Sequence, residues 1–560
     1  MQTEALFGVP ATALALPRAL QEAVQHGEVF TRCWVVETIL DLVGYRDEVD
    51  LASLRIIEPA CGQGAFLSPI VARLSASCRN HGRSLLDAID AIRAFDLVEL
   101  NVVRSRATIT AQLLDAGWGA LEVEKVVSSW INHGDFLLQG TTADTADFVV
   151  GNPPYIRLED VPDDRMKAYR KACTTMNGRA DIYIGFYETG LLRLKKGGKL
   201  GFICADRWMR NQYGRGLRKF VTRGYSMDLV LTMHDVDAFE EPVSAYPAVT
   251  VVSRKAQGSV IVADTTAAFD DEAAREFGLW AAEPSEDLVE KPSYHTARLP
   301  HWFPGEDSWP SASPTRLAML EELSDRFRLL EDETTGTRVG IGVATGADKV
   351  FITHDRDTAE PERMLPLAMV KDTTSGTINW NGSHLVNPWD SQGKLVDLDV
   401  YPRLAAYFDR HREALGKRYI AVKQPTRWYK TIDKVDPKLA SRPKLLFPDM
   451  KLTIHPVLDE GGLYPHHNLY YIVSNTWDMR VLGGLLLSKV AEAFVEAYAV
   501  KMRGGTLRFQ AQYLRKIRVP DPAEMREEVC DALAKAFDER DVEAATEAAL
   551  RAYGLDQLPD

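Results

Sequence analysis

The sequence predicts an α/β protein, with an open and mostly parallel central sheet in the first half of the chain and a second, mixed α/β domain after it. Three observations predict this. Short apolar runs of strand length recur at Leu54–Ile57, Ala91–Phe95, Ala146–Gly151 and Leu200–Cys204, separated by segments of helical spacing. Glycine, acidic or amide residues stand at the carboxyl ends of these runs, where open α/β sheets bind their ligands. At 560 residues the chain also exceeds what one hydrophobic core usually supports, so two or more domains are expected.

Composition narrows the class. With 46% apolar and 26% charged residues the chain is ordinary for a globular protein. No apolar stretch approaches the ~18 residues of a membrane span, and Met1-Gln2-Thr3-Glu4 lacks the basic region of a secretory signal. A cytoplasmic location without membrane partners is expected. The six cysteines, Cys33, Cys61, Cys78, Cys173, Cys204 and Cys530, include no Cys-x-x-Cys pair, which speaks against a zinc site and a disulfide framework. His466-His467, and His411 with His455, have no acidic or cysteine partner at ligand spacing, so no metal is expected. The net charge is −13, yet residues 401–520 carry 21 Lys+Arg against 10 Asp+Glu, a local basic balance of the kind that phosphate contact needs. Residues 521–560, with 4 basic and 12 acidic residues, read as a solvated helical tail.

In chain order, residues 1–27 form a short arm. Trp34–Leu40 follows with helical spacing behind Thr31, which reads as its cap. Leu54–Ile57 leads into Glu58-Pro59-Ala60-Cys61-Gly62-Gln63-Gly64 and a helix to about Cys78, a first βα unit whose backbone a ligand can approach closely. No third glycine completes a dinucleotide fingerprint, and no Gly-Lys-Ser/Thr marks a triphosphate site. Asp96 ends the second strand, where a nucleotide ribose diol is held; Glu99 is the alternative. Asp135-Phe136 pairs an acid with a ring. Asn152-Pro153-Pro154-Tyr155 then ends the fourth strand, because two prolines cannot donate to a sheet, and leaves an amide and an aromatic ring at its tip.

Residues 156–180 read as a polar loop or short helix forming a substrate-facing lid. Further strands are expected at Leu229–Met233 and Ala248–Val252, with Phe239 an exposed aromatic on the loop between them. Residues 256–310 show no clear period and read as a linker region. From 311 the second domain begins, with Thr345-Gly346-Ala347-Asp348-Lys349, a basic helix at Tyr401–Arg418, a long helix at Val481–Ala499 and Arg503-Gly504-Gly505.

Taken together, these stretches resemble the γ-class, TaqI-like N6-adenine DNA methyltransferases along nearly the whole chain. The order of Thr31, Pro59-Ala60-Cys61-Gly62, Asp96, Asp135-Phe136, Asn152-Pro153-Pro154-Tyr155 and Phe239 is that family's order, and the Thr345–Lys349 and Arg503–Gly505 stretches look like its recognition domain. Arg32 departs from the proline usual after the threonine, and the longer segment after Phe239 makes Tyr246 a rival second aromatic. The resemblance implies a Rossmann-like class I methyltransferase domain over 28–255 and a mixed α/β target-recognition domain over 311–520.

It also implies a mechanism. The cofactor is S-adenosylmethionine, with Thr31 and the Pro59–Gly62 loop at its methionine end, Asp96 on its ribose and Asp135 with Phe136 on its adenine. Asn152 borders it as well. The target adenine is flipped out of double-stranded DNA and stacked on Tyr155 and Phe239. The Asn152 side-chain oxygen and the Pro153 carbonyl accept from its N6 amino group, with Pro154 fixing the turn, and the methyl group moves by in-line displacement. Cys61 is a small loop residue and no nucleophile. Phosphate contacts are placed on Arg427, Lys430, Arg503 and Arg508. A monomer is expected, with a restriction endonuclease possible on a separate chain; Asp449-Met450-Lys451 is a chance match to a nuclease pattern. The competing classes are an RNA or protein-glutamine amino methyltransferase, and a DNA-binding specificity protein with an idle catalytic domain. The family order favours adenine N6 over cytosine N4, which shares the chemistry.

Overall fold

The computed structural model describes residues 29–140, 146–241, 246–499 and 506–559. The expected N-terminal arm, and Arg503-Gly504-Gly505, lie outside them. The chain divides into two compact units between Ala318 and Met319.

The first unit is built on one sheet of ten strands: β1 (Ile56–Glu58), β2 (Ile92–Asp96), β3 (Ile131–His133), β4 (Ala146–Gly151), β5 (Leu194–Ala205), β6 (Ser226–Thr232), β7 (Pro247–Ser253), β8 (Val260–Thr265), β9 (Leu288–Glu290) and β10 (Tyr294–Leu299). Their order is β3-β2-β1-β4-β5-β7-β6-β8-β10-β9. β1 to β5 are parallel, while β7 runs antiparallel between β5 and β6. The chain reaches one edge at β3 and returns to the far side of β1 as β4, so the topological switch point falls between β1 and β4. A ligand crevice opens at such a point because the connections leave in opposite directions.

Around this sheet lie the helices α1 (Cys33–Val43), α2 (Leu67–Asn80), α3 (Glu99–Asp115), α4 (Ala120–Trp130), α5 (Asp163–Ala172), α6 (Tyr183–Arg193), α7 (Arg215–Gly224) and α8 (Asp271–Ala282). Helical spacing in α1 buries Val35, Val36, Ile39, Leu40 and Val43 on one face, packed into the core of this unit. At Gly201 of β5 an added Cβ would stand 2.5 Å from a Val43 methyl, so only glycine lets α1 lie this close to the sheet.

Several expectations need correction here. Thr31 does not cap α1: Arg32 holds the cap position without a side-chain bond. Residues 256–310 are no linker but extend the sheet. Val260–Thr265 pairs parallel with β6, and Tyr294–Leu299 pairs antiparallel with β8. Phe269, Phe277 and Tyr294 pack edge to face there, at centroid distances of 5.4–6.4 Å. The strands are short and interrupted by α8, which hides their period. The acidic segment 521–560 is likewise no solvated tail. Its helices Glu527–Glu539 and Val542–Tyr553 bury Leu533, Ala536, Phe537, Ala545, Ala548, Ala549 and Tyr553. At Gly484 an added Cβ would lie 2.1 Å from the Leu533 carbonyl oxygen, so the helix Met479–Leu487 touches this segment backbone to backbone.

The second unit holds an antiparallel sheet of Arg338–Ile341, Leu469–Val473, Lys444–Pro448 and Val457–Asp459 in that spatial order. A smaller sheet runs through Ile352–Thr353, His384–Val386, Met364–Ala368 and Tyr464–Pro465. The expected long helix at 481–499 is two helices, broken at Ser488, whose side chain accepts from the Ala491 N–H and caps Lys489–Tyr498. Among the described residues no helix is long and apolar enough to cross a membrane.

Candidate active site

At the switch point, Thr31, Pro59, Ala60, Cys61, Gly62, Asp96, Asp135, Phe136, Asn152, Pro153 and Pro154 line one cavity. Side chains predicted from five separate stretches of sequence thus meet. Tyr155 and Phe239 are not among its lining residues.

Asn152 is the most constrained of them. Its Nδ2 donates to the Val29 carbonyl at 3.1 Å and to Thr31 Oγ1 at 3.2 Å. A carbonyl only accepts, so the contact with Val29 fixes which end of the amide is nitrogen. Oδ1 is enclosed and has no partner among the described residues. The segment that holds Asn152 is itself tied down: Thr31 forms an antiparallel bridge with Phe239, Arg32 N–H donates to Ala238 O at 3.0 Å, and Glu240 N–H donates to Phe30 O at 2.9 Å. These pairings turn the Phe239 ring inward to 5% exposure within the core. Phe239 is therefore not the exposed loop aromatic expected of it. Tyr246 is the exposed one at 54%, leaning on the His234 ring at a centroid distance of 4.9 Å. Tyr155 is half-buried, meets Tyr183 edge-on at 6.4 Å, and has an enclosed hydroxyl with no partner among the described residues. Burial raises that hydroxyl well above the ordinary phenol range.

The glycine loop and Asp96 form a single unit. Gly62 adopts φ +49° and Gly64 φ +99°, which side-chain-bearing residues rarely take. Asp96 Oδ2 accepts from Gly62 N–H at 2.8 Å, while Oδ1 accepts from Val98 N–H at 2.8 Å and from Asn101 Nδ2 at 3.2 Å. The acid therefore shapes the loop as well as lining the cavity. Burial raises its pKa against these hydrogen bonds, which lower it. Glu99 is exposed in the first turn of α3 and does not line the cavity. Burial, with the charges of Glu58 and Asp96, pushes the Cys61 thiol far up, away from any thiolate.

Asp135 Oδ2 receives Arg165 Nη1 at 2.7 Å and the Tyr169 hydroxyl at 2.9 Å, both from α5. Burial still raises its pKa. Phe136 is stacked on Phe186 at 5.7 Å, with the Arg193 guanidinium 4.8 Å from its ring centre. The polar segment 156–180 thus reaches the cavity through Tyr169, which lines it.

The sequence reading passed over Glu58. It ends β1, lines the cavity and is 1% exposed, with Oε2 enclosed and unpartnered among the described residues. Burial, then the charge of Asp96, pushes it well above the carboxylate range. Its signal was present as the acid directly before Pro59, at the end of the first strand.

Of the expected phosphate contacts, Arg427 is exposed and Lys430 bonds Gln424 at 2.7 Å. Arg508 is paired with Asp449, and so is not a free cation. That Asp449 follows the strand Lys444–Pro448 and precedes the exposed Met450.

The strand order β3-β2-β1-β4-β5-β7-β6 with β7 reversed is that of the class I methyltransferase fold. Residues 105–239 match the Eco57I restriction-modification methylase family. The type II methyltransferase M.PaeR7I of Pseudomonas aeruginosa is 43% identical over 534 residues, 95% of this chain and 92% of its own length. M.XhoI of Xanthomonas vasicola is 42% identical, over 95% of this chain and 98% of its own. M.BstVI of Geobacillus stearothermophilus is 40% identical, over 93% and 94%.

Proposed function

The chain belongs to the type II DNA methyltransferases of restriction-modification systems, and from that premise we propose that it transfers a methyl group from S-adenosylmethionine to N6 of an adenine flipped out of double-stranded DNA. The observation that carries this reading is the Asn152 amide, with its donor end occupied and its acceptor oxygen enclosed and unpartnered among the described residues. A buried acceptor without a donor is costly, and an exocyclic amino group supplies the donor.

The residues lining the cavity fit the cofactor. S-adenosylmethionine supplies an electrophilic sulfonium methyl group when bound. Glu58 and Thr31 hold its methionine end, Asp96 its ribose hydroxyls, and Asp135 with Phe136 its adenine. Asp96 Oδ2 retains one acceptor site for a ribose hydroxyl, since each carboxylate oxygen has two lone pairs and three of the four are taken. Asn152 Oδ1 and the Pro153 carbonyl accept from the target amino group, draw its lone pair out of conjugation and aim it at the methyl. Rate then comes from positioning and from acceptors placed where positive charge develops. Tyr155 stacks on the extruded base. The second aromatic wall falls to the exposed Tyr246, since Phe239 is held in the core opposite Thr31. The second unit reads the site on DNA, and a cognate nuclease acts from a separate chain.

The test of the reaction is chemical. Unmethylated DNA incubated with the protein and S-adenosylmethionine, then digested to nucleosides, yields N6-methyldeoxyadenosine. N4-methyldeoxycytidine, or methylation of RNA or protein alone, overturns the assignment.

Glu58 adds a pH dependence. Burial, then the charge of Asp96, raises its pKa, and an ammonium bound beside it lowers that pKa again. Cofactor binding therefore releases a proton and weakens as pH falls below the raised value. Calorimetry in buffers of different ionisation enthalpy measures this release, and Glu58→Gln removes it. An unchanged proton count in that variant contradicts the role.

A further inference from the structure

In the second unit, the segment His466-His467 follows the pairing of Tyr464-Pro465 with Leu367-Ala368 and precedes the strand Leu469–Val473. The two imidazoles stand with ring centroids 4.1 Å apart. His466 is 2% exposed, and the Nδ1 atoms of both residues are enclosed without a partner among the described residues. Enclosed polar atoms in native proteins nearly always have a partner, so two adjacent orphans leave this histidine pair with unused ligand capacity. On the other, Nε2 side of the His466 ring stands Asp348, 118 residues earlier in the chain, whose Oδ2 lies 3.2 Å from that nitrogen. The Thr345 hydroxyl, fully buried, donates to Asp348 Oδ1 at 2.5 Å and fixes the carboxylate.

We propose that Asp348, His466 and His467 form a divalent transition-metal site of the zinc class, fastening the Thr345–Asp348 loop to the His466-His467 segment. One ligand atom from each of the three lies within 4.8 Å of the others. Ligands about 2.0–2.1 Å from a tetrahedral ion are roughly 3.3 Å apart, which the 3.2 Å between Asp348 and His466 already meets. Rotation of the less buried His467 ring closes the remaining distance. Two imidazoles with one carboxylate suit zinc and its neighbours, whereas calcium and magnesium require more oxygen ligands. The site is rigid where it needs to be: an added Cβ at Gly342 would fall 2.3 Å from the Pro465 and His466 carbonyl oxygens, so the backbone beneath the histidines is closely packed. The other histidine pair offers no such site. His455 faces the Thr373 carbonyl at 3.2 Å and Arg540 at 3.3 Å, which occupies both of its ring nitrogens.

The experiment uses the untagged full-length protein, stripped with a chelator and titrated with Co²⁺ and then Zn²⁺. One Co²⁺ per chain is expected, with the visible absorption of a tetrahedral ion, displaced by Zn²⁺ and accompanied by a rise in melting temperature. His467→Ala and Asp348→Asn, both at positions open enough to tolerate change, each weaken Zn²⁺ binding by about tenfold or more, while His455→Ala leaves it unchanged. Circular dichroism and methyl transfer report that the variants are folded. Folded wild-type protein that binds neither ion stoichiometrically overturns the proposal, as does equal Zn²⁺ affinity in wild type and both variants.

Discussion

Asn152→Ala lowers the rate of methyl transfer by about 10²–10³-fold, the scale on which removal of one preorganised polar group at a reacting centre is felt. Cofactor affinity changes far less, because Asp96 and the glycine loop are held by each other and not by Asn152. The geometry makes the asymmetry specific: Nδ2 is bound to Val29 O and Thr31 Oγ1, so the amide cannot turn, and Oδ1 is the only end available to a substrate. Single-turnover rates on unmethylated DNA, beside cofactor affinity by calorimetry, separate the two effects. Thr31→Val removes one of the two anchors and leaves the Val29 contact, so its loss of rate is smaller. Equal losses of cofactor binding and turnover in Asn152→Ala would assign this residue to the fold of the pocket and not to the reaction.

Tyr155→Ala forfeits the stacking surface for the extruded base. Aromatic stacking of this kind is worth about 1–3 kcal/mol per base, or about 5- to 150-fold in kcat/KM at roughly 1.4 kcal/mol per factor of ten. Tyr155→Phe stays near wild type, because the hydroxyl has no partner among the described residues to lose and is buried at a cost. A large defect in the phenylalanine variant contradicts stacking and makes the hydroxyl the active group.

How much of this was legible in the sequence depended on range. Strands β1, β2, β4 and β5 announce themselves as apolar runs, while β3, Ile131-Asn132-His133, does not, and the residues at the tips follow because strand ends share one side of a parallel sheet. Asp96, Asp135 and Asn152 converge for that reason alone. Contacts made across the chain were not legible. Phe239 is drawn inward by pairing with Thr31, 208 positions away, and a polar loop gives no sign of it. The segment 256–310 looked aperiodic because its strands Val260–Thr265 and Tyr294–Leu299 are short and meet only each other, β6 and β9. In the acidic tail, alanines supply much of the buried face, and small residues leave a weak hydrophobic pattern. Asp348 escaped as a partner of His466 because no spacing rule links residues so far apart.

The measurement that tests the central claim most directly is a modification map. The chain and its Asn152→Ala variant are expressed in a host lacking DNA methylation, and genomic DNA from each is read by long-read sequencing. The account predicts N6-methyladenine concentrated in one short sequence motif with the wild-type chain, and none with the variant. Unmodified DNA from folded wild-type protein, or the same motif modified by the variant, would contradict it.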